Sequence, residues 1–313
     1  MNDTQATANP LGYEKIGKLL TSYAVPSIIA LIINSLYNMV DQIFIGQGVG
    51  FLGNGATNII APIATITIAI ATLFGDGLAA FFSLNLGKGE GEKAAKGLGT
   101  SIMFGSIFGI IWTVLAFVFL KPLCLIFGAT ENILPYALAY GRIIVIGFTF
   151  QIVGNTINSA IRTDGSPRYA MLSMMIGAVL NIILDPVFIF VFHWGVEGAA
   201  TATVISQLFG LLFNIAYLFR MKTIRLSRQS FTLDIRTAGR IASLGFASGA
   251  NNLTSTVVAF VSNNLMTKYG ALSPYGADIP LTTFGLCMKV SMLAFSIGIG
   301  VASGSQPIIG FNY

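Results

Sequence analysis

Two carboxylates lie in stretches otherwise too apolar to hold them: Asp41 in LIINSLYNMVDQIFIG and Asp185 in VLNIILDPVFIFVF. An ionisable group in hydrocarbon costs about 2.5 to 3.5 kcal/mol on insertion scales, so it is retained mainly where it works. Asn181 stands four residues before Asp185 and shares its helix face, and Thr203 falls near the start of the next apolar run. At about 1.5 Å of rise per residue, counted from the outer end of each run, Asp41 lies about 6 Å deep, Asp185 about 10 Å, Asn181 about 16 Å and Thr203 about 6 Å. All four then belong to the outer half of one bundle. Two carboxylates, an amide and a hydroxyl form an oxygen-only set suited to Na⁺ or to protons. Like charges brought together in low dielectric would share a proton that Na⁺ could displace. The chemistry is cation exchange, with no bond making. In the competing reading, Asp41 caps or pairs locally and Asn181 hydrogen-bonds across helices for packing. Two acids at one depth, joined by Asn and Thr, favour function.

Other polar residues follow helical spacing. Asn34, Tyr37 and Asn38 continue the Asp41 stripe, Gln151, Asn155 and Asn158 form a second, and Asn252, Thr256 and Asn263 a third. Such stripes would line a polar cavity, although interhelical hydrogen bonding explains many of them equally well. Tyr37, Phe150, Met174 and Met175 offer an adaptable surface for flat lipophilic cations, or plain bundle packing. Lys289 sits near the middle of an apolar run with no partner in the sequence, and is expected to face a wet cavity or a carboxylate. Asp76 reads as a structural interface residue, and His193, the only histidine, as an interfacial one. Cys124 and Cys287 read as packed thiols. With no Cys or His cluster, no phosphate-cradling loop and no nucleophile beside a base, the chain is not expected to be an enzyme or to carry a cofactor.

The elements that must position these groups are membrane helices. Of 313 residues, 54% are hydrophobic and 9% charged, and the mean hydropathy is +0.78. Eight runs approach the roughly 20 apolar residues a spanning helix needs: 19–45, 56–82, 98–120, 136–161, 169–192, 199–219, 241–266 and 281–302. The fold class is all-α, a polytopic transmembrane helical bundle. The first eighteen residues lack a cleavable apolar core, so no signal peptide is expected. Thirteen of the 17 Lys and Arg residues fall on one side if the N-terminus is cytoplasmic, against Lys121 and Lys268 outside. The net charge of +5 then reports cytoplasmic flanks meeting anionic lipid, with no need of nucleic acid. Pro26 is a candidate bend in the first helix, and Pro186 denies an amide to residue 182.

Along the chain, residues 1–219 form a six-helix lobe, 220–240 a basic linker on the cytoplasmic surface, and 241–313 the first two helices of a second lobe. Gly75, Gly77, Ala79 and Gly87 recur as Gly298, Gly300, Ala302 and Gly310, all at an offset of 223, which also carries Asp41 onto Asn264. A complete second lobe would end near residue 446 on that spacing, and the chain would then be a fragment. Gly105/Gly109 and Gly245/Gly249 fit the small-xxx-small packing pattern.

Six segments carry a resemblance: YNMVDQIFIGQGVG (37–50), GDGLAAFFSLNLGKGE (75–90), RTDGSPRYAM (162–171), NIILDPVFIF (181–190), GAATATVIS (198–206) and GSQPIIGFNY (304–313). Together and in this order they resemble the multidrug and toxic compound extrusion (MATE) transporters, especially bacterial ones. The resemblance implies a two-lobe transporter of twelve helices that alternates between inward- and outward-open states, of which this chain lacks the last four. It implies export of organic cations or drugs in exchange for H⁺ or Na⁺. The chain is expected in the bacterial inner membrane, as a monomer. By motif, the family's cation site falls on Asp41, Asn181, Asp185 and Thr203. Some members also use a carboxylate on the seventh helix, whereas GFASGANNLTSTVVAF has none. Two rivals remain: a lipid-linked-precursor or polysaccharide flippase of similar architecture, and a membrane sensor or scaffold that transports nothing. The flippase would want an Arg- and Lys-rich cavity for its anionic substrate; the scaffold would need packing but no convergent acids.

Overall fold

The structure, a computed structural model, describes Pro10–Gly12 and residues 14–313. Most of the segment read as free of a signal peptide lies outside the described residues. Among those residues there is no strand, and the chain runs through ten α-helices: α1 (Ile16–Gly48), α2 (Phe51–Gly87), α3 (Gly91–Val118), α4 (Leu120–Ile126), α5 (Leu134–Ile144), α6 (Gly147–Thr163), α7 (Pro167–Pro186), α8 (Gly195–Leu218), α9 (Ile235–Gly270) and α10 (Asp278–Asn312). Six of them (α1, α2, α3, α7 with its continuation to Val191, α8 and α10) are long and apolar enough to cross a membrane, or seven spans if α5 and α6 count as one. The run expected at 136–161 is broken: α5 and α6 meet at a bend of 50°. Gly147, at that bend, packs so closely on the Gln207 side chain that a Cβ would collide with it. The run expected at 241–266 is helical, but Asn251, Asn252, Ser255, Thr256, Asn263 and Asn264 make α9 more polar than the rest.

The outward surface is what a bilayer requires. On α3, Phe108, Ile111, Val114, Leu115 and Val118 are all exposed, where hydrocarbon rather than water would meet them. The interior is held by α2, which packs along α6, α9, α3 and α10, while α1 packs along α10 and α7. Gly77 and Gly245 let α2 and α9 touch backbone to backbone, since a Cβ on either would overlap the other helix. Helix boundaries follow the 223-residue offset: shifting α1 and α2 gives 239–271 and 274–310, against 235–270 and 278–312 observed. The same exchange turns the α1–α10 pair into the α9–α2 pair. α1 is unbroken through Pro26.

The stretch between α8 and α9 is pinned. Buried Asp164, at the α6–α7 turn, accepts from the Tyr217 hydroxyl at 2.7 Å and from the backbone amides of Lys222 at 2.8 Å and Thr223 at 2.9 Å. Thr100 donates to the Thr232 carbonyl at 3.1 Å. Asp234 caps α9 through the Arg236 and Thr237 amides and pairs with Lys96 at 2.6 Å. The Lys96 ammonium, with those amides and the Thr237 hydroxyl, holds the Asp234 carboxyl well below the usual carboxylate range.

Candidate functional site

The site is set by how α7 ends. Pro186 has no amide to give, so the regular helix stops there, and the chain widens into a π-helical turn over Val187–Val191. His193, exposed, takes φ 56°, a left-handed conformation for which His is one of the commoner non-glycine residues. Gly195 follows at φ 56° and α8 starts back antiparallel to α7. This reversal brings Thr203, two turns into α8, alongside Asn181, one turn before the end of α7. Asp41, two turns before the end of α1, reaches the same level.

The four predicted residues are brought together. Asn181 Nδ2 donates to Asp185 Oδ1 and to Thr203 Oγ1, both at 3.2 Å. The Asp185 and Asp41 carboxyls lie close enough to act directly on each other. Asn181 and Asp185 are 1% and 0% exposed and Asp41 is 7%, so water does not compensate their charge or polarity freely. Three oxygens, Asp41 Oδ1, Asp185 Oδ2 and Asn181 Oδ1, are buried and accept no hydrogen bond from any described group. With the Thr203 hydroxyl they are a set of hard oxygen acceptors, which fits an alkali cation or a bridging proton.

Sequence reasoning missed the groups that support the acids. Gln42 donates to Asp41 Oδ2 at 3.1 Å and accepts from the Thr57 hydroxyl at 2.9 Å. Tyr140 lies near both carboxylates, as does Tyr37, which the sequence had already placed on the Asp41 stripe. Gln42 had one available signal, its adjacency to Asp41; Thr57 and Tyr140 had none, because only the packing of α2 and α5 brings them near. Lys289, flagged for lacking a partner, donates to Thr57 Oγ1 at 3.2 Å, and its charge reaches Asp41.

The predicted cavity stripes are placed differently. A cavity of about 290 Å³ opens between α1, the start of α2 and α10, lined by Gln42, Asn54 and Lys289 with Met39, Ile43 and Leu286. A second, of about 30 Å³, has room for a single water; Asn158, Pro26 and Met174 line it. Asn34, Tyr37, Asn38, Gln151, Asn155 and Met175 line neither of these two cavities. Asn38 donates to the Asn34 carbonyl at 2.7 Å, Asn158 to that of Ala170 at 3.0 Å, and Asn252 to the Thr72 hydroxyl at 3.2 Å. In this arrangement those amides bond locally or between helices.

Comparison with known proteins finds a family model, curated relatives and solved structures that this chain resembles. The MatE family model matches residues 26–187. "Multidrug export protein MepA" of Staphylococcus saprophyticus is 27% identical over 303 residues, covering 95% of this chain and 64% of that protein. MepA of Staphylococcus aureus strain MRSA252 is 25% identical, with the same coverage. The chain thus spans about 64% of the length of these curated relatives. Among solved structures, the MATE multidrug transporter DinF-BH, solved as a ligand complex, superposes with a TM-score of 0.90 at 31% identity, covering 96% of this chain and 67% of that one. A MOP superfamily transporter from Pyrococcus furiosus gives 0.86 at 25% identity, covering 97% and 66%.

Proposed function

Since the chain belongs to the MatE family, whose model matches more than half of its residues, we propose that it carries the cation-coupling part of a secondary antiporter that exports organic cations or drugs. The exchanged ion is H⁺ or Na⁺, and Asp41, Asn181, Asp185 and Thr203 hold it. The observation that carries this reading is the meeting of two buried carboxyls from α1 and α7, each with one oxygen left without a hydrogen-bond donor. A packing role asks for satisfied polar groups. A site that takes up and releases a cation asks for acceptors held ready.

Neutralising the pair removes its field from the helices that carry it, and a ligand shifts two states only by its differential affinity for them. Tyr37, beside both acids, would then touch the organic cation through its ring, with Asn34, Asn38, Gln151, Asn155, Asn158 and Met175 forming the remaining cavity surface in the state that admits substrate. The relatives named for multidrug export, and the multidrug transporter DinF-BH, support that class of substrate. The protein would lie in the cytoplasmic membrane with its N-terminus inside, and would work as a monomer.

The test is cation-driven efflux. Asp41→Asn and Asp185→Asn are each expected to abolish efflux of a lipophilic cation driven by an imposed pH or Na⁺ gradient while leaving expression unchanged. Wild-type efflux in either variant would overturn the assignment.

A further inference from the structure

We propose that Lys289 is a tethered counter-cation, which competes with the exchanged ion for the field of the acid pair and so couples α10 to cation binding. This rests on the cation-site reading above and adds a residue from a helix that supplies none of the four ligands.

A continuous path of contacts supports it. Lys289 Nζ donates to Thr57 Oγ1 at 3.2 Å, Thr57 donates to Gln42 Oε1 at 2.9 Å, and Gln42 Nε2 donates to Asp41 Oδ2 at 3.1 Å. Asp41 lies beside Asp185, whose Oδ1 accepts from Asn181. Five helices, α10, α2, α1, α7 and α8, are thus joined from Lys289 to Thr203. Lys289 makes no direct ion pair with either acid. Its ammonium is held one amide and one hydroxyl away, near enough for its charge to act on Asp41 and far enough to leave the ligand oxygens open.

The position is built. One helical turn before Lys289, Gly285 presses against the Asn58 side chain so tightly that a Cβ would collide with it, and Asn58 Nδ2 donates to the Leu281 carbonyl at 2.8 Å. These contacts fix α10 against the start of α2 and hold Lys289 at Thr57. The ammonium also borders the larger cavity, where the buried Asn54 Oδ1 has no hydrogen-bond donor. Ammonium displaced from Thr57 therefore has a polar wall to move along. A cation that enters the acid pair brings positive charge toward Lys289 and weakens its hold on Thr57; a cation that leaves restores it. The α2–α10 contact is in this way biased by occupancy of the site.

The experiment compares Lys289→Met, Lys289→Arg and Asp41→Asn with wild type in the purified full chain. Binding of radiolabelled Na⁺ in alkaline buffer and proton uptake after an acid jump identify the cation the protein takes up and the concentration that half-saturates it. Lys289→Met is expected to bind that cation at about tenfold lower concentration, equivalent to about 1.4 kcal/mol, and Lys289→Arg within twofold of wild type. Unchanged or weaker binding in Lys289→Met, or an equal change in both Lys289 variants, would overturn the proposal. Wild-type binding in Asp41→Asn would instead remove the underlying site, so the two failures are distinguishable.

Discussion

Asn181 is the side chain on which the geometry of the site turns. Its single amide nitrogen serves both Asp185 and Thr203 at 3.2 Å, while its own oxygen accepts nothing from the described groups. Asn181→Ala is expected to destabilise the protein by about 1–3 kcal/mol, the range for stranding a buried hydrogen-bond partner, and to raise the half-saturating cation concentration at least tenfold. Thermal unfolding and cation binding measured on the same sample check both. A loss of stability with unchanged cation affinity would reduce Asn181 to packing. The acids were legible in the sequence because charge in an apolar run is anomalous wherever it occurs, and Asn181 because it falls one turn from one of them. Thr57 and Tyr140 were not, and Gln42 only through its adjacency to Asp41. Uncharged polar residues are common in these helices, and which of them meet depends on the rotation of each helix about its axis, which no local pattern records. Asp164 escaped for another reason: in RTDGSPRYAM an Asp before Gly reads as a turn residue, and its grip on residues 222 and 223 is visible only in space.

At the scale of elements, all eight apolar runs emerged as helix, because length and composition suffice for that. Their breaks did not. The bend between α5 and α6 falls in GRIIVIGF, which offers no proline, and Gly147 at that bend lies against the Gln207 side chain from α8. The end of α7 was readable, since Pro186 removes an amide, but the π-turn and the reversal at His193 that set α8 beside it were not. Small-residue spacing was informative: Gly245 lies against the Leu73 carbonyl and the Gly77 amide, and Gly109 against Thr149. Gly245→Val is therefore expected to destabilise the α2–α9 contact by about 1–3 kcal/mol through overpacking. Gly239→Ala, on the same helix with open space around it, should instead stabilise by about 0.4–1 kcal/mol. Thermal unfolding of the two variants in one detergent separates these outcomes, and equal effects would contradict the packing described here.

Over the whole molecule, one arrangement recurs: α1 lies along α10 as α2 lies along α9, two pairs that the 223-residue offset exchanges. Each pair carries a polar link across it, Ser35 to Ser296 at 2.8 Å between α1 and α10 and Asn252 to Thr72 at 3.2 Å between α2 and α9. Asp41 stands on a helix of one of these pairs. Cation uptake by the purified chain is the most direct test of the claim that Asp41 and Asp185 act as one site, with wild type, both single Asn variants and the double variant compared for Na⁺ binding and proton uptake. One cation per wild-type chain is expected, with each single variant as deficient as the double. Uptake at wild-type affinity by either single variant, or losses that add independently, would contradict it.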